Sequence, residues 1–231
     1  MIVDPRIFPV LGVDSHLPAV PAVRLTGEAL RERFTRIAGW LPELAGDGNA
    51  SDGRFGERAS ADAAVLVGLV QRDAGLQGLL THRATALRDH AGQISFPGGR
   101  SEASDHGPAD TARREAREEI GLASEHVEVI GLLPAYTTVT RFVVTPVVAL
   151  VQPPFTLQLD PSEVSEAFEV PLAWLMNPAN HQRHALTVQG VQRQFLSMPW
   201  TEARADGSTR EHTTWGATAA MLRNLYRLLS D

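Results

Sequence analysis

The stretch REAREEIGL, residues 114–122, sets three glutamates and two arginines on about two turns of expected helix and then stops at a glycine. Helical periodicity sorts these side chains. Ala112, Ala116 and Ile120 fall at i, i+4 and i+8 and are expected to face a core. Glu115, Glu118 and Glu119 fall at i, i+3 and i+4 and share another face, with Cβ atoms roughly 5–6 Å apart. Two such charges repel by under about 1 kcal/mol in open water, but by roughly 3 kcal/mol at an effective dielectric near 20. An i,i+4 pair such as Arg114–Glu118 returns only about 0.3–0.5 kcal/mol. On an open face the cluster is simply a solvated charged surface; in a cleft it needs a divalent cation. Hard cations such as Mg²⁺ take oxygen ligands and share them with substrate phosphates, which suits carboxylates at this spacing. The neighbouring sequence has to decide between the two readings.

Working outward, AAVLVGLVQR (63–72) and GLLTHR (78–83) read as strands joined by a turn near Asp73–Gly75, and GQISF (92–96) as a short third strand ended by Pro97-Gly98-Gly99. A polar loop leads into a helix from about Ala109 to Ile120, with Asp110 or Thr111 as its cap and Gly121 as the residue that ends it. HVEVIGLLP and FVVTPVVALV read as further strands. PLAWLM (171–176) reads as a short helix, ALTVQG with QRQFLSM as a hairpin, and GATAAMLRNLYRLLS as a closing amphipathic helix. Strands interleaved with a few helices predict an α/β (α+β) fold, a mixed sheet sandwiched between helices. At the other end, residues 1–25 carry four prolines and are expected to lie extended. Leu30, Phe34, Ile37, Ala38 and Leu41 recur at helical spacing, and AGDGNASDGRFGERAS (45–60) reads as a flexible loop, so the core is expected to begin near Asp62.

Bulk composition narrows the function classes. The 231 residues carry 21 Lys+Arg against 27 Asp+Glu, a net charge of -6, which argues against a nucleic-acid binder. No cysteine is present, so disulfides, thiolate metal sites and cysteine nucleophiles are excluded. The N-terminal MIVDPRIFPVLGVD lacks a basic segment followed by an apolar one, and the longest apolar runs are well short of a membrane span. A soluble, cytoplasmic protein with no membrane partner is expected.

With LLTHRATALRDHAGQISFPGG (79–99) set before REAREEIGL, a family resemblance emerges. The pattern GG-x(n)-R-E-x-x-E-E-x-G resembles the Nudix box, the motif of hydrolases that cut nucleoside diphosphates linked to another group. The preceding stretch resembles the additional motif of the coenzyme A pyrophosphatase branch, with Leu79, Leu80, Thr81, Arg83, Arg88, Gly92, Phe96, Pro97, Gly98 and Gly99 in register. Two positions depart. Ala84 stands where that branch usually has Ser, and Asp105 stands where the box usually has Glu, with a loop to Arg114 one residue longer than the commonest form. Glu102 is the alternative acidic residue in that loop.

The resemblance implies a Nudix-type α/β/α sandwich: residues 1–60 as an N-terminal extension with one helix and a flexible loop, and 61–231 as the Nudix hydrolase domain. It implies a metal-dependent hydrolase that cleaves the pyrophosphate of coenzyme A or its derivatives to 4′-phosphopantetheine and adenosine 3′,5′-bisphosphate. Mg²⁺ or Mn²⁺ would be the cofactor, a small nucleotide the partner, and a homodimer an expected assembly. Glu115 and Glu119 would be the principal metal ligands, Glu118 a third or one acting through water, and Arg114 an orienting group for a carboxylate. Gly98 and Gly99 permit tight backbone approach, Gly98 toward the metal and Gly99 toward a phosphate. Arg83 and Arg88 match phosphate geometry. The general base is assigned to Glu163 or Glu166, in DPSEVSEAFEVPL (160–172). His181 and His184, at i and i+3, lack further candidate ligands nearby and are discounted as a metal site. The alternatives are a Nudix hydrolase of ADP-ribose or a dinucleotide, and a non-catalytic nucleotide-binding Nudix domain.

Overall fold

The computed structural model describes residues 4–47, 60–87, 90–188, 191–204 and 206–231. Arg88 and most of the loop expected at 45–60 lie outside them.

The long apolar run at 61–72 forms β2 (Ala61–Arg72), whose alternation decides the layering. Ala64, Leu66 and Val70 face one side, and Ala63, Val67 and Leu69 face the other. Its neighbour β8 (Phe142–Val151) lies parallel to it from Ala61↔Phe142 to Val70↔Val151 and alternates in the same sense. A strand pair buried on both faces needs a helix on each side. The 64/66/70 face is covered by α2 (Pro108–Ile120) through Ala112, Ala116 and Ile120. The opposite face is covered by α4 (Gly216–Ser230) through Leu222, Leu225, Leu228 and Leu229, together with α1 (Gly27–Thr35) and the short α3 (Leu172–Leu175). The result is the α/β/α sandwich around a mixed sheet.

The large sheet has eight strands. β3 (Gly75–Arg83) pairs with β2 only over Leu69–Arg72 against Gly75–Gly78, and beyond that the two strands diverge. The gap is filled by β4 (Ile94–Ser95) on β3 and by β5 (Gly98–Arg100) on β2. β6 (Val127–Leu132) and β7 (Tyr136–Thr137) pair with β8, and β9 (Val164–Pro171) pairs with β3 along its outer edge. A second sheet of four strands runs β1 (Val10–Val13), β10 (Gln182–Val188), β11 (Val191–Ala203), β12 (Thr209–Trp215).

Several local expectations are revised. α2 starts with Pro108 at its first position and has no side-chain cap; Thr111 is one turn inside, its hydroxyl donating to Asp105 at 2.9 Å. GQISF yields only the two residues of β4, because the chain must turn at Pro97 to reach β2. α1 ends at Thr35, and the segment preceding β2 is built into the main core, with Leu30 and Phe34 buried there. Strands β1, β5, β7, β9 and β12 are not among the expected elements. Gly121 ends α2 as expected, at φ +68°, with Leu122 N–H donating to the Ala116 carbonyl in the pattern of a left-handed helix stop. Among the described residues, no helix is long and apolar enough to cross a membrane.

Candidate active site

The divergence of β2 and β3 places the glycine pair directly over the glutamate helix. A Cβ on Gly98 would lie 2.4 Å from the Ala64 carbonyl oxygen and 2.6 Å from Val65 Cα, so the loop lies flush against β2 only because it has none. A Cβ on Gly99 would stand 2.7 Å from the carboxylate of Glu115. The Gly98 N–H donates to Oε2 of Glu119 at 3.1 Å, and Arg83, at the end of β3, brings Nη1 to 3.5 Å from Oε1 of the same residue. Glycine loop, Glu115, Glu119 and Arg83 therefore meet.

The three glutamates are not equivalent. Glu119 is buried, Glu115 is half-buried, and Glu118 has an exposed side chain paired with Arg114 at 3.0 Å. Burial pushes the Glu119 carboxyl up to about 7, although the Gly98 N–H and Arg83 oppose the rise and Glu115 and Glu163 add to it. Burial likewise raises Glu115, against the pull of Arg114. Two adjoining carboxylates under-compensated in this way, in a cradle whose backbone admits no Cβ, have the chemistry of an oxygen-ligand site for a hard divalent cation.

Arg114 organises the periphery. Its guanidinium donates from Nε (3.1 Å) and Nη2 (3.0 Å) to Asp105, from Nη1 to Glu115 (2.9 Å) and Glu118 (3.0 Å), and to the carbonyl of Arg100 (2.9 Å). Asp105, held well below the usual carboxylate range first by Arg114, is the acid of the preceding loop that enters this network closely; Glu102 stands 3.8 Å off and is largely exposed. Of the two residues considered for a base, Glu163 is exposed and lies close enough to Glu115 and Glu119 for its charge to raise both. Glu166 is not brought to the helix. In β9 it shares the face of Phe168 and Val170, away from α2, and pairs with Arg204 and Arg210. His181 and His184 are engaged by protein groups: His181 contacts the Leu175 carbonyl and Arg223, and His184 contacts Ser197 and the Phe8 carbonyl.

Beside the glycine pair opens a cavity of about 250 Å³ with mainly apolar walls that include Val65, Phe96, Phe142 and Met221, with Arg83 at its edge.

The NUDIX domain matches residues 62–190, more than half of the chain, and the chain belongs to the Nudix family. It is accordingly a hydrolase of a pyrophosphate substrate, in a family that generally uses divalent metal ions. Among its relatives it is 41% identical, over 167 residues, to a protein of Salmonella paratyphi B named "Uncharacterized Nudix hydrolase NudL", an overlap of 71% of this chain and 80% of that one. Its counterpart in Salmonella newport matches to the same extent. Among solved structures, the Nudix hydrolase RenU of M. smegmatis superimposes with a TM-score of 0.42 at 24% identity, covering 48% of this chain and 71% of that one.

Proposed function

We propose that the chain hydrolyses the pyrophosphate of coenzyme A or its derivatives, releasing 4′-phosphopantetheine and adenosine 3′,5′-bisphosphate. The observation that carries the reading is the convergence of Glu115, Glu119, Gly98 and Arg83 at the rim of an apolar-walled cavity. A bound pyrophosphate meets carboxylates and a guanidinium there, and an uncharged arm or base of the substrate meets Phe96, Phe142 and Met221 next to them. The motif residues Leu79 to Gly99 favour coenzyme A among nucleoside diphosphate derivatives.

Glu115, Glu119 and the backbone of Gly98 would hold Mg²⁺ or Mn²⁺, with Glu118 contributing through water. Such an ion would neutralise charge on the pyrophosphate and lower the pKa of an attacking water. Arg83 orients a phosphate oxygen through its guanidinium fork. Gly99 lets the substrate backbone-approach the loop without a side chain in the way. Arg114 keeps Glu115 and Glu118 in place through Asp105. Glu163, facing the cluster from the β9 loop, accepts the proton of the attacking water at its carboxylate.

The test is incubation with Mg²⁺ or Mn²⁺ and a panel of coenzyme A, ADP-ribose, NADH and nucleoside triphosphates, with Glu119→Gln alongside. The expected result is adenosine 3′,5′-bisphosphate from coenzyme A in preference to the others, abolished in the variant. Turnover of another substrate alone overturns the substrate assignment. Unchanged turnover in Glu119→Gln overturns the site.

A further inference from the structure

On the face of the large sheet turned away from α2, three side chains from strands far apart in sequence converge. His82 in β3 stands directly opposite Glu166 in β9, and His212 reaches them from β12 of the second sheet. Nε2 of His82 lies 3.1 Å from Nδ1 of His212 and 3.9 Å from Oε2 of Glu166. One ligand atom from each residue fits within 4.8 Å of the other two. A tetrahedral zinc with bonds of about 2.0–2.1 Å holds its ligand atoms about 3.3–3.4 Å apart, so a small closure of this triangle reaches coordination geometry.

Two observations point to a ligand rather than to a closed protein network. Oε2 of Glu166 is buried and finds no hydrogen-bond partner among the described residues, while Oε1 alone takes both Arg210 (2.6 Å) and Arg204 (3.2 Å). An orphaned buried acceptor of this kind is destabilising unless something binds it. The histidines are also preset. His212 is buried, stacks on Phe168 at 3.8 Å between ring centroids, and has Nε2 3.3 Å from Glu202 Oε2. A proton on Nε2 donated to Glu202 leaves Nδ1 bare toward the triangle, the arrangement in which a carboxylate orients a metal-ligating imidazole. Burial, and after it His212, lowers the pKa of His82, in the direction of the neutral ring that a ligand needs.

We propose that His82, His212 and Glu166 form a binding site for a divalent transition-metal ion of the zinc type, separate from the glutamate cluster and clamping β12 to the large sheet. Two imidazoles and a carboxylate are a set that zinc accepts, with water as the fourth ligand. On binding, the His82 proton moves from Nε2 to Nδ1, so the ring keeps its proton count.

The test is calorimetric titration of metal-free protein with Zn²⁺ in excess Mg²⁺, which fills oxygen-ligand sites but competes poorly for imidazole. One zinc per chain and a raised Tm are expected, retained in Glu119→Gln and weakened about 10-fold or more in His82→Gln and Glu166→Gln. Cobalt substituted into the unaltered protein reads the ligand set without any mutation, and a tetrahedral nitrogen–oxygen spectrum is expected. Absence of zinc uptake, uptake lost in Glu119→Gln but not in His82→Gln, or an octahedral all-oxygen cobalt spectrum overturns the proposal.

Discussion

Gly98 donates its backbone N–H to Oε2 of Glu119 at 3.1 Å, so the start of β5 and the helix that follows it in the chain meet at one carboxylate. Neither element is correctly placed without the other: the glycine needs β2 for its flat approach, and the glutamate needs the glycine as its donor.

Substitution of the two glycines should separate fold from chemistry. In Gly98→Ala the new Cβ meets backbone of β2 at 2.4 and 2.6 Å, and φ is +156°, so stability should fall by about 2–3 kcal/mol or more. In Gly99→Ala the obstacle is the flexible end of Glu115, which can swing, so the cost should stay within about 1 kcal/mol while metal-dependent turnover drops. Denaturant unfolding and activity on the same samples distinguish the two; equal destabilisation would show this reading of the loop to be wrong.

Arg114→Lys should leave the fold intact and slow turnover. A single ammonium cannot span Asp105, Glu115, Glu118 and the Arg100 carbonyl, which the guanidinium joins at 2.9–3.1 Å. Loss of a group that orients metal ligands typically costs about 10–100-fold in activity or metal affinity. An unchanged metal dependence and kcat would remove Arg114 from any positioning role.

The segment ahead of β2 should be indispensable. Leu30 and Phe34 of α1 are buried against the main core, and the Phe34 ring lies so close to Gly131 of β6 that a Cβ there would clash. Phe34→Ala should cost about 3–5 kcal/mol and Leu30→Ala about 2–5 kcal/mol. Changes below about 1 kcal/mol, read by urea midpoints, would make α1 a detachable appendage.

The buried His181 should make stability depend on pH below neutrality. Burial, opposed by the Leu175 carbonyl and aided by Arg223, lowers His181 from 6.5 to about 4. A depressed folded-state pKa contributes stability above the unfolded value that is lost as pH falls, here between 6.5 and about 4. The shift of about 2.5 units corresponds to a loss on the order of 3 kcal/mol. Glu43 extends the same sign to lower pH. Burial alone would raise it, but hydrogen bonds from Arg223 and Arg227 outweigh this and bring it from 4.5 to about 2. Glu119, raised by burial to about 7, gains stability over the same fall in pH, so the reading is differential: the stability advantage of the unaltered protein over His181→Gln should shrink as pH falls from 7 to 4, and a constant difference would refute the assignment.

The glutamate helix was legible because its causes are local. Periodicity assigned Ala112, Ala116 and Ile120 to the core, and a glycine that tolerates φ +68° ended it. The continuous apolar runs that form β2 and β8 likewise suit a sheet buried on both faces. Less of the candidate site was legible. Glu118 and Glu119 are adjacent and chemically identical in sequence, yet one is solvated and the other buried, because only packing against β2 and β5 decides which side of the helix is closed. Glu102 is the alternative to Asp105 in sequence, and only the folded loop brings Asp105 against Arg114 and Thr111. Strands β9 and β12 carry too many polar residues to stand out, and their pairing is dictated by partners far along the chain.

By itself the sequence determined what depends on residues a few positions apart: the helix faces, the strand alternation, the helix stop, and the motif that marks the family. The tertiary structure alone decided what depends on distant strands meeting. It chose which carboxylate loses its water, turned Glu166 to the far side of the sheet, and brought His82 within 3.1 Å of His212. The physical reason is that desolvation and pairing are properties of the packed layers, and no short stretch of chain contains them.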